Sequence, residues 1–213
     1  MVLGLVAMRP AGGVVGGTLD GDKHEYVGVL LGPLDLPICS GVLVASPRGA
    51  VLLTTAHCLG PAGEGQPVTV RFGPTAMSGP SATGTFHVMA GYNPTTGLND
   101  IALVAFTSPP QIRPAQLSTA VPPAGTAVTT VGYGAPTVGV RAYATEIVLR
   151  SDPTWLYLKP GSGNSCDVDS GGPDLLGTGR DLTVVALTDQ GTCDSDQDYL
   201  VTGQAVHDFV NGA

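Results

Sequence analysis

The feature that most constrains this chain is the recurrence of short apolar runs, three to eight residues long, each bounded by turn-forming residues. Six fall in the first half: Tyr26 to Leu31, Val42 to Ala45, Val51 to Thr54, Val68 to Phe72, Thr85 to Ala90 and Ile101 to Phe106. Five more follow, in Thr126 to Tyr133, Thr145 to Arg150, Trp155 to Leu158, Leu182 to Leu187 and Tyr199 to Val201. Runs of this length suit strands, and 31 Gly and 18 Pro supply the turns between them. Between the two sets lie Ser108-Pro109-Pro110-Gln111-Ile112-Arg113-Pro114 and Val121-Pro122-Pro123-Ala124-Gly125, too rich in proline for a central strand. They predict an all-β chain in two units, 14–108 and 126–213, joined by a linker over 109–125. Only Gly203 to Val210 reads as a helix, with Ala205, Phe209 and Val210 spaced to share a face. So short a helix must dock to persist.

At 213 residues the chain can bury a sizeable core. Its formal charge of -8 repels a nucleic-acid duplex or an anionic membrane surface, so neither is expected as a partner. Met1 to Met8 is apolar but too short to cross a bilayer, and residues 1–13 read as a leader remnant or a disordered tail. The four cysteines Cys39, Cys58, Cys166 and Cys193 show no C-x-x-C spacing, which argues for disulfides over a zinc site and leaves three complete pairings. An oxidising, secreted or periplasmic location follows.

Chemistry concentrates in three segments. Cys166-Asp167-Val168-Asp169-Ser170-Gly171-Gly172-Pro173 sets a serine in a glycine-rich turn beside a carboxylate. A serine hydroxyl is a weak nucleophile at neutral pH and needs a base within reach, for which an imidazole is suited. His57, in Thr54-Thr55-Ala56-His57-Cys58, is the candidate base, and Asp100, in Asn99-Asp100-Ile101-Ala102-Leu103, the candidate for orienting it. Taken singly, each has a plainer reading as a strand-end histidine, a turn aspartate or a turn serine.

Their order along the chain, with the residues around them, resembles the chymotrypsin-like (trypsin-like) serine peptidase family over roughly Val14 to Val210. Gly17-Thr18-Leu19-Asp20-Gly21-Asp22-Lys23-His24 is similar to the opening of secreted bacterial members. The resemblance implies two packed six-stranded antiparallel β-barrels with a cleft between them. In that cleft Ser170 would be the nucleophile, His57 the base and Asp100 its orienting partner, with the N–H groups of Val168 and Ser170 forming the oxyanion hole. It further implies disulfides Cys39–Cys58 and Cys166–Cys193, and an ion pair between Asp169 and an ammonium at Val14. The specificity pocket would have Asn164 at its base and Leu187 and Thr188 in its wall, with Asp194, Asp196 and Asp198 in a loop closing it. His24 is expected in an exposed loop. No metal or organic cofactor is implied, and the expected partner is a protein or peptide substrate acted on by a monomer.

The sequence departs from the family pattern in three places. Val168 stands where glycine is usual, and a β-branched residue resists positive φ; losing an oxyanion donor costs about 2.7–4 kcal/mol in the transition state. Asn164 stands where trypsin-like members carry aspartate, which argues against a strong preference for Arg or Lys. Gly13 precedes Val14, and Arg9 is followed by Pro10, so no tryptic activation cleavage is written in the sequence. Val168 sustains a second expectation, a catalytically silent secreted homologue that keeps the triad residues but binds a partner through its loops.

Overall fold

After a two-residue strand, β1 (Thr18–Leu19), the apolar runs of the first half fold into six antiparallel strands. They are β2 (Val27–Leu31), β3 (Pro37–Val44), β4 (Val51–Thr54), β5 (Pro67–Arg71), β6 (Ser81–Val88) and β7 (Ala102–Phe106). Each pairs with two neighbours, closing a barrel in the order β2-β3-β4-β7-β6-β5. The computed structural model describes residues 13–177 and 182–213, so the leader reading of 1–13 lies almost wholly outside the described residues.

The second half repeats the architecture. Following the short β8 (Gln116–Leu117) come β9 (Ala127–Gly132), β10 (Ala142–Ser151), β11 (Trp155–Pro160), β12 (Pro173–Leu176), β13 (Thr183–Thr192) and β14 (Ser195–Leu200). The ring β9-β10-β11-β14-β13-β12 closes on itself as the second six-stranded barrel, with β1 added at β10 and β8 at β13. Closure leaves no long edge strand exposed. β12 was not among the expected strands, because it starts at the proline that ends the serine turn; at the first residue of a strand a missing N–H is tolerated. The helix α1 spans Gln204–Gly212 and buries Val206 and Val210, one turn apart, while Ala205, expected on the buried face, is exposed.

The main apolar cores among the described residues follow from the alternation along these strands. One fills the first barrel with Leu30, Leu43, Leu52, Val70, Phe86 and Val104. A smaller one in the second barrel includes Val128, Val148, Leu156, Leu158 and Leu200. The largest joins the barrels, setting Val27, Val29, Leu53 and Leu103 in one cluster with Val131, Tyr133, Leu187 and Tyr199. The linker docks on both: Ala115 N–H donates to Leu43 O (2.9 Å), and Ser118 N–H to Val184 O (2.8 Å).

A buried ionic brace fastens the amino-terminal segment. Arg141, 1% exposed, donates from Nε to Asp20 Oδ2 (2.7 Å), from Nη1 to Val27 O (2.9 Å) and from Nη2 to Gly21 O (2.7 Å). His24 joins it through Asp20, and at 6% exposure it is a buried residue, correcting the expectation of an exposed loop position. A buried guanidinium needs such partners, since unpaired burial of the charge would cost several kcal/mol. The disulfides join Cys39 to Cys58 and Cys166 to Cys193 across Cα separations of 6.0 and 4.6 Å. Loops of 19 and 27 residues make each worth on the order of 3 kcal/mol in chain entropy.

Candidate active site

The serine turn is held by main-chain bonds that fix its path from Cys166 to Pro173. Asp169 N–H donates to Cys166 O (2.9 Å), Gly172 N–H to Asp169 O (2.8 Å) and Gly171 N–H to Thr188 O (2.8 Å). The first barrel grips the same turn from the other side. Ser40 N–H donates to Ser170 O (2.9 Å), and Ser40 Oγ donates to Val168 O (3.0 Å) while accepting from Tyr133 N–H (3.0 Å). Gly171 lies against Thr54 Oγ1, Ser40 O and Thr55 N at φ +79, so both its conformation and the lack of space exclude a side chain. This close approach brings Ser170 beside the segment that ends in His57.

His57 follows β4 in a single 3-10 turn over Ala56–Cys58. Asp100, 3% exposed just before β7, holds it twice: Oδ1 accepts from the His57 main-chain N–H (2.8 Å), and Oδ2 lies 3.0 Å from Nδ1. That arrangement sets the imidazole's orientation and places a proton on Nδ1, leaving Nε2 as an acceptor. No hydrogen bond joins Ser170 Oγ to His57 in this structure; such bonds are often long in a free enzyme.

A second carboxylate, not anticipated from the sequence, stands at the same imidazole. Asp189 Oδ1 is 3.8 Å from His57 Nδ1, and neither of its oxygens has a hydrogen-bond partner among the described residues. Burial, reinforced by the charge of Asp100, pushes its carboxyl up to about 9, so the group is neutral at pH 7. Because the folded state holds this proton well above the ordinary value of 3.8, the contribution to stability is complete at pH 3 and declines as pH rises toward 9. Asp189→Asn is therefore expected to match the parent's urea midpoint near pH 3 and to exceed it by a margin that widens up to pH 9. A margin independent of pH would contradict this assignment.

Val168 takes φ +73, the left-handed region that the sequence reading expects valine to resist. Among the described residues, neither its N–H nor that of Ser170 has a partner within the protein. The two donors flank a turn whose other main-chain groups are mostly satisfied, so an anion placed there would find both free.

The remaining expected positions separate. Asp169 is 1% exposed and accepts from Gly134 N–H (2.7 Å) and Cys166 N–H (2.9 Å). Burial pushes its carboxyl well above the usual range despite those bonds. Val14 is not paired with it; continuing from Gly13, it is an amide buried with Ala142 and Ala144. Gly13 itself packs on the main chain of Tyr133, between the two glycines, Gly132 and Gly134, whose missing side chains make room for Asp169. Leu187 points into the inter-barrel core and not into a pocket wall, and Thr188 grips the serine turn through its main chain. The β13–β14 pairing is irregular between Leu187 and Gln190, which helps bring Asp189 to the imidazole. Asn164, 1% exposed, donates from Nδ2 to Asp196 Oδ2 (2.7 Å). Asp196 and Asp198, expected in a loop, lie in β14 and are buried.

The sequence matches the family described as Trypsin over residues 23–210. No curated protein matches the chain. Among solved structures it is similar to human heparin binding protein, with a TM-score of 0.75 and 18% identity over 94% of this chain and 96% of that one. A mutant of human heparin binding protein gives 0.74 and 18% over 93% and 96%, and an atomic resolution structure of HBP gives 0.73 and 16% over 94% and 96%. Likeness at these identities speaks for the fold alone.

Proposed function

The chain belongs to the trypsin family, and from that premise we propose that it is a serine endopeptidase acting through Ser170, His57 and Asp100. Ser170 Oγ attacks the peptide carbonyl as His57 Nε2 takes its proton. The oxyanion settles between the N–H groups of Val168 and Ser170. His57⁺ then returns the proton to the leaving amine, and water hydrolyses the acyl-enzyme by the same route. Asp100 holds the imidazole and stabilises its charged form. The observation that carries this reading is the double clamp of Asp100 on His57 beside a serine turn with two unpartnered N–H donors. The two disulfides support action in an oxidising compartment, secreted or periplasmic. No described helix is long and apolar enough to cross a membrane.

The second reading, a silent homologue acting as a binding protein, is favoured by one observation, the strained Val168 within the oxyanion turn. The name of the similar human protein says that it binds heparin; a chain of formal charge -8 repels such a polyanion, and that ligand is not carried over. Activation is assigned to an ammonium at Val14: freed from Gly13, it would begin beside Tyr133 and give the buried Asp169 the cation it lacks.

The readings separate in one experiment. The protein is incubated with a fluorophosphonate, as expressed and with residues 1–13 removed, then weighed intact and mapped by peptide digestion. A single adduct on Ser170 is the expected result, faster in the truncated form. Folded protein that takes up no label in either form would establish the silent homologue.

A further inference from the structure

The interior of the second barrel contains a layer that a hydrophobic core does not explain. Strand register points Glu146 of β10, Asp174 of β12, and Asp196 and Asp198 of β14 to the same side as the apolar residues Val148, Ala186, Leu158 and Leu156. Glu146, Asp174 and Asp198 are 0% exposed and Asp196 is 7% exposed. Among the described residues, no lysine or arginine forms a salt bridge with any of them. Some of their oxygens are occupied: Ser165 N–H donates to Glu146 Oε1 (2.8 Å), Ser165 Oγ and Asn164 Nδ2 both donate to Asp196 Oδ2 (2.7 Å each), and Asp189 N–H donates to Asp198 Oδ1 (3.2 Å).

Other oxygens have no N–H or hydroxyl donor among the described residues. Among the described residues, Glu146 Oε2, Asp198 Oδ2 and both oxygens of Asp174 are buried with only a neighbouring carboxyl for company, Glu146 meeting Asp196 and Asp174 meeting Asp198. Two neutral side chains at the same place are orphaned too. Thr130, 0% exposed and directly opposite Asp174 in the β9–β12 pairing, has an unpartnered Oγ1. Asn164, 1% exposed, turns its amide nitrogen to Asp196 and leaves Oδ1 without a donor. A buried acceptor without a donor costs about 1–3 kcal/mol, and several together ask for a common partner.

We propose that this layer is a binding site for a calcium ion, held inside the second barrel by Glu146, Asp196 and Asp198, with Asp174 and the orphaned oxygens of Thr130 and Asn164 completing its surroundings. Oxygens from Glu146, Asp196 and Asp198 all lie within 4.8 Å of one another. Ligands about 2.3–2.6 Å from a calcium ion are separated by at most about 5 Å, so these three fall within one coordination sphere. The donor set is all oxygen, which selects a hard cation. Calcium accepts irregular, high coordination, whereas magnesium demands a strict octahedron and keeps several waters, for which a sealed barrel interior is poorly suited.

The test is calorimetric titration of calcium chloride into the chelator-treated full chain at pH 7.5, with thermal midpoints recorded in parallel and magnesium chloride as the control. One calcium per chain is expected, with a rise in midpoint and at least tenfold weaker binding of magnesium. Glu146→Gln and Asp198→Asn should each weaken calcium binding at least tenfold. The proposal is overturned if the folded parent shows neither heat nor a shift in midpoint with calcium. It is also overturned if every variant that folds binds calcium as the parent does, or if acidification alone raises the midpoint and calcium adds nothing. In that last case shared protons, and not a metal, would satisfy the layer. Should neither variant fold, the parent's calcium stoichiometry and its preference over magnesium decide.

Discussion

Asp100→Asn is expected to lower kcat about 10⁴-fold while leaving the protein folded. Asp100 meets His57 through two oxygens, one on the main-chain N–H at 2.8 Å and one on Nδ1 at 3.0 Å. An asparagine can keep its carbonyl oxygen on the main-chain N–H, but its NH₂ group then faces Nδ1 and donates to it. Nδ1 becomes an acceptor, the imidazole proton moves to Nε2, and the atom that should take the proton from Ser170 already carries one. The fold should survive because the main-chain bond is retained. The check is kcat on a peptide substrate, or the rate of phosphonylation, beside a circular dichroism spectrum. A loss under tenfold in a folded variant would remove Asp100 from the triad and turn attention to Asp189, the other carboxylate at this ring.

Val168→Gly is expected to work in the opposite direction, raising kcat/KM up to about tenfold through the share of the strain relief realised in the transition state. A non-glycine residue held at positive φ costs about 1–3 kcal/mol, and at φ +73 Val168 bears that cost at one of the two candidate oxyanion donors. Its carbonyl is tied to Ser40 Oγ at 3.0 Å, so the peptide cannot relax without giving up that bond. Glycine takes the same φ without strain, letting the N–H settle toward a developing oxyanion and clearing the leaving-group side of a branched side chain. Stability should rise by about 1 kcal/mol, the relief of strain being partly offset by the freer unfolded chain. Progress curves for the two proteins at equal active-site titre, with urea unfolding in parallel, measure both effects. Higher stability without a faster reaction would mean that the Val168 N–H is already well placed and that the valine side chain does not limit turnover.

The broad architecture was legible because strand length, turn residues and the proline-rich connector are local signals. Tyr26 to Leu31 or Val51 to Thr54 can be read as strands from their own composition. The three motif segments were legible for the same reason, since each carries its chemistry within a few residues. What escaped depends on partners far apart in the chain. Ser40 binds the serine turn from 130 residues upstream (170 - 40), and Asp189 reaches His57 across the cleft. His24 looked exposed because the chain around it is polar, yet Arg141 supplies the buried cation that draws its partner Asp20 inward. The acidic layer of the second barrel did leave a trace: Glu146 alternates with Ala144 and Val148 on one face of its strand, the position where a core residue is expected. Asp196 and Asp198 alternate in the same way before Leu200, but among polar residues the pattern looked like a loop.

The brace between Arg141 and Asp20 also determines how a newly made amino terminus would behave. Once the bond before Val14 is cut, the free end is held first at Val15, which bridges Asn164 through two main-chain bonds of 3.0 Å, and behind that at Asp20, six residues from Val14 (20 - 14) and fixed by a guanidinium bond of 2.7 Å. Even with the Val15 bridge open, a leash of six residues spans at most about 20 Å. The ammonium is thus confined near its acceptor at an effective concentration on the order of millimolar, independent of how dilute the protein becomes. Release from latency would then be first order in the cleaved chain, with a search volume set by one buried arginine on the far side of the sequence.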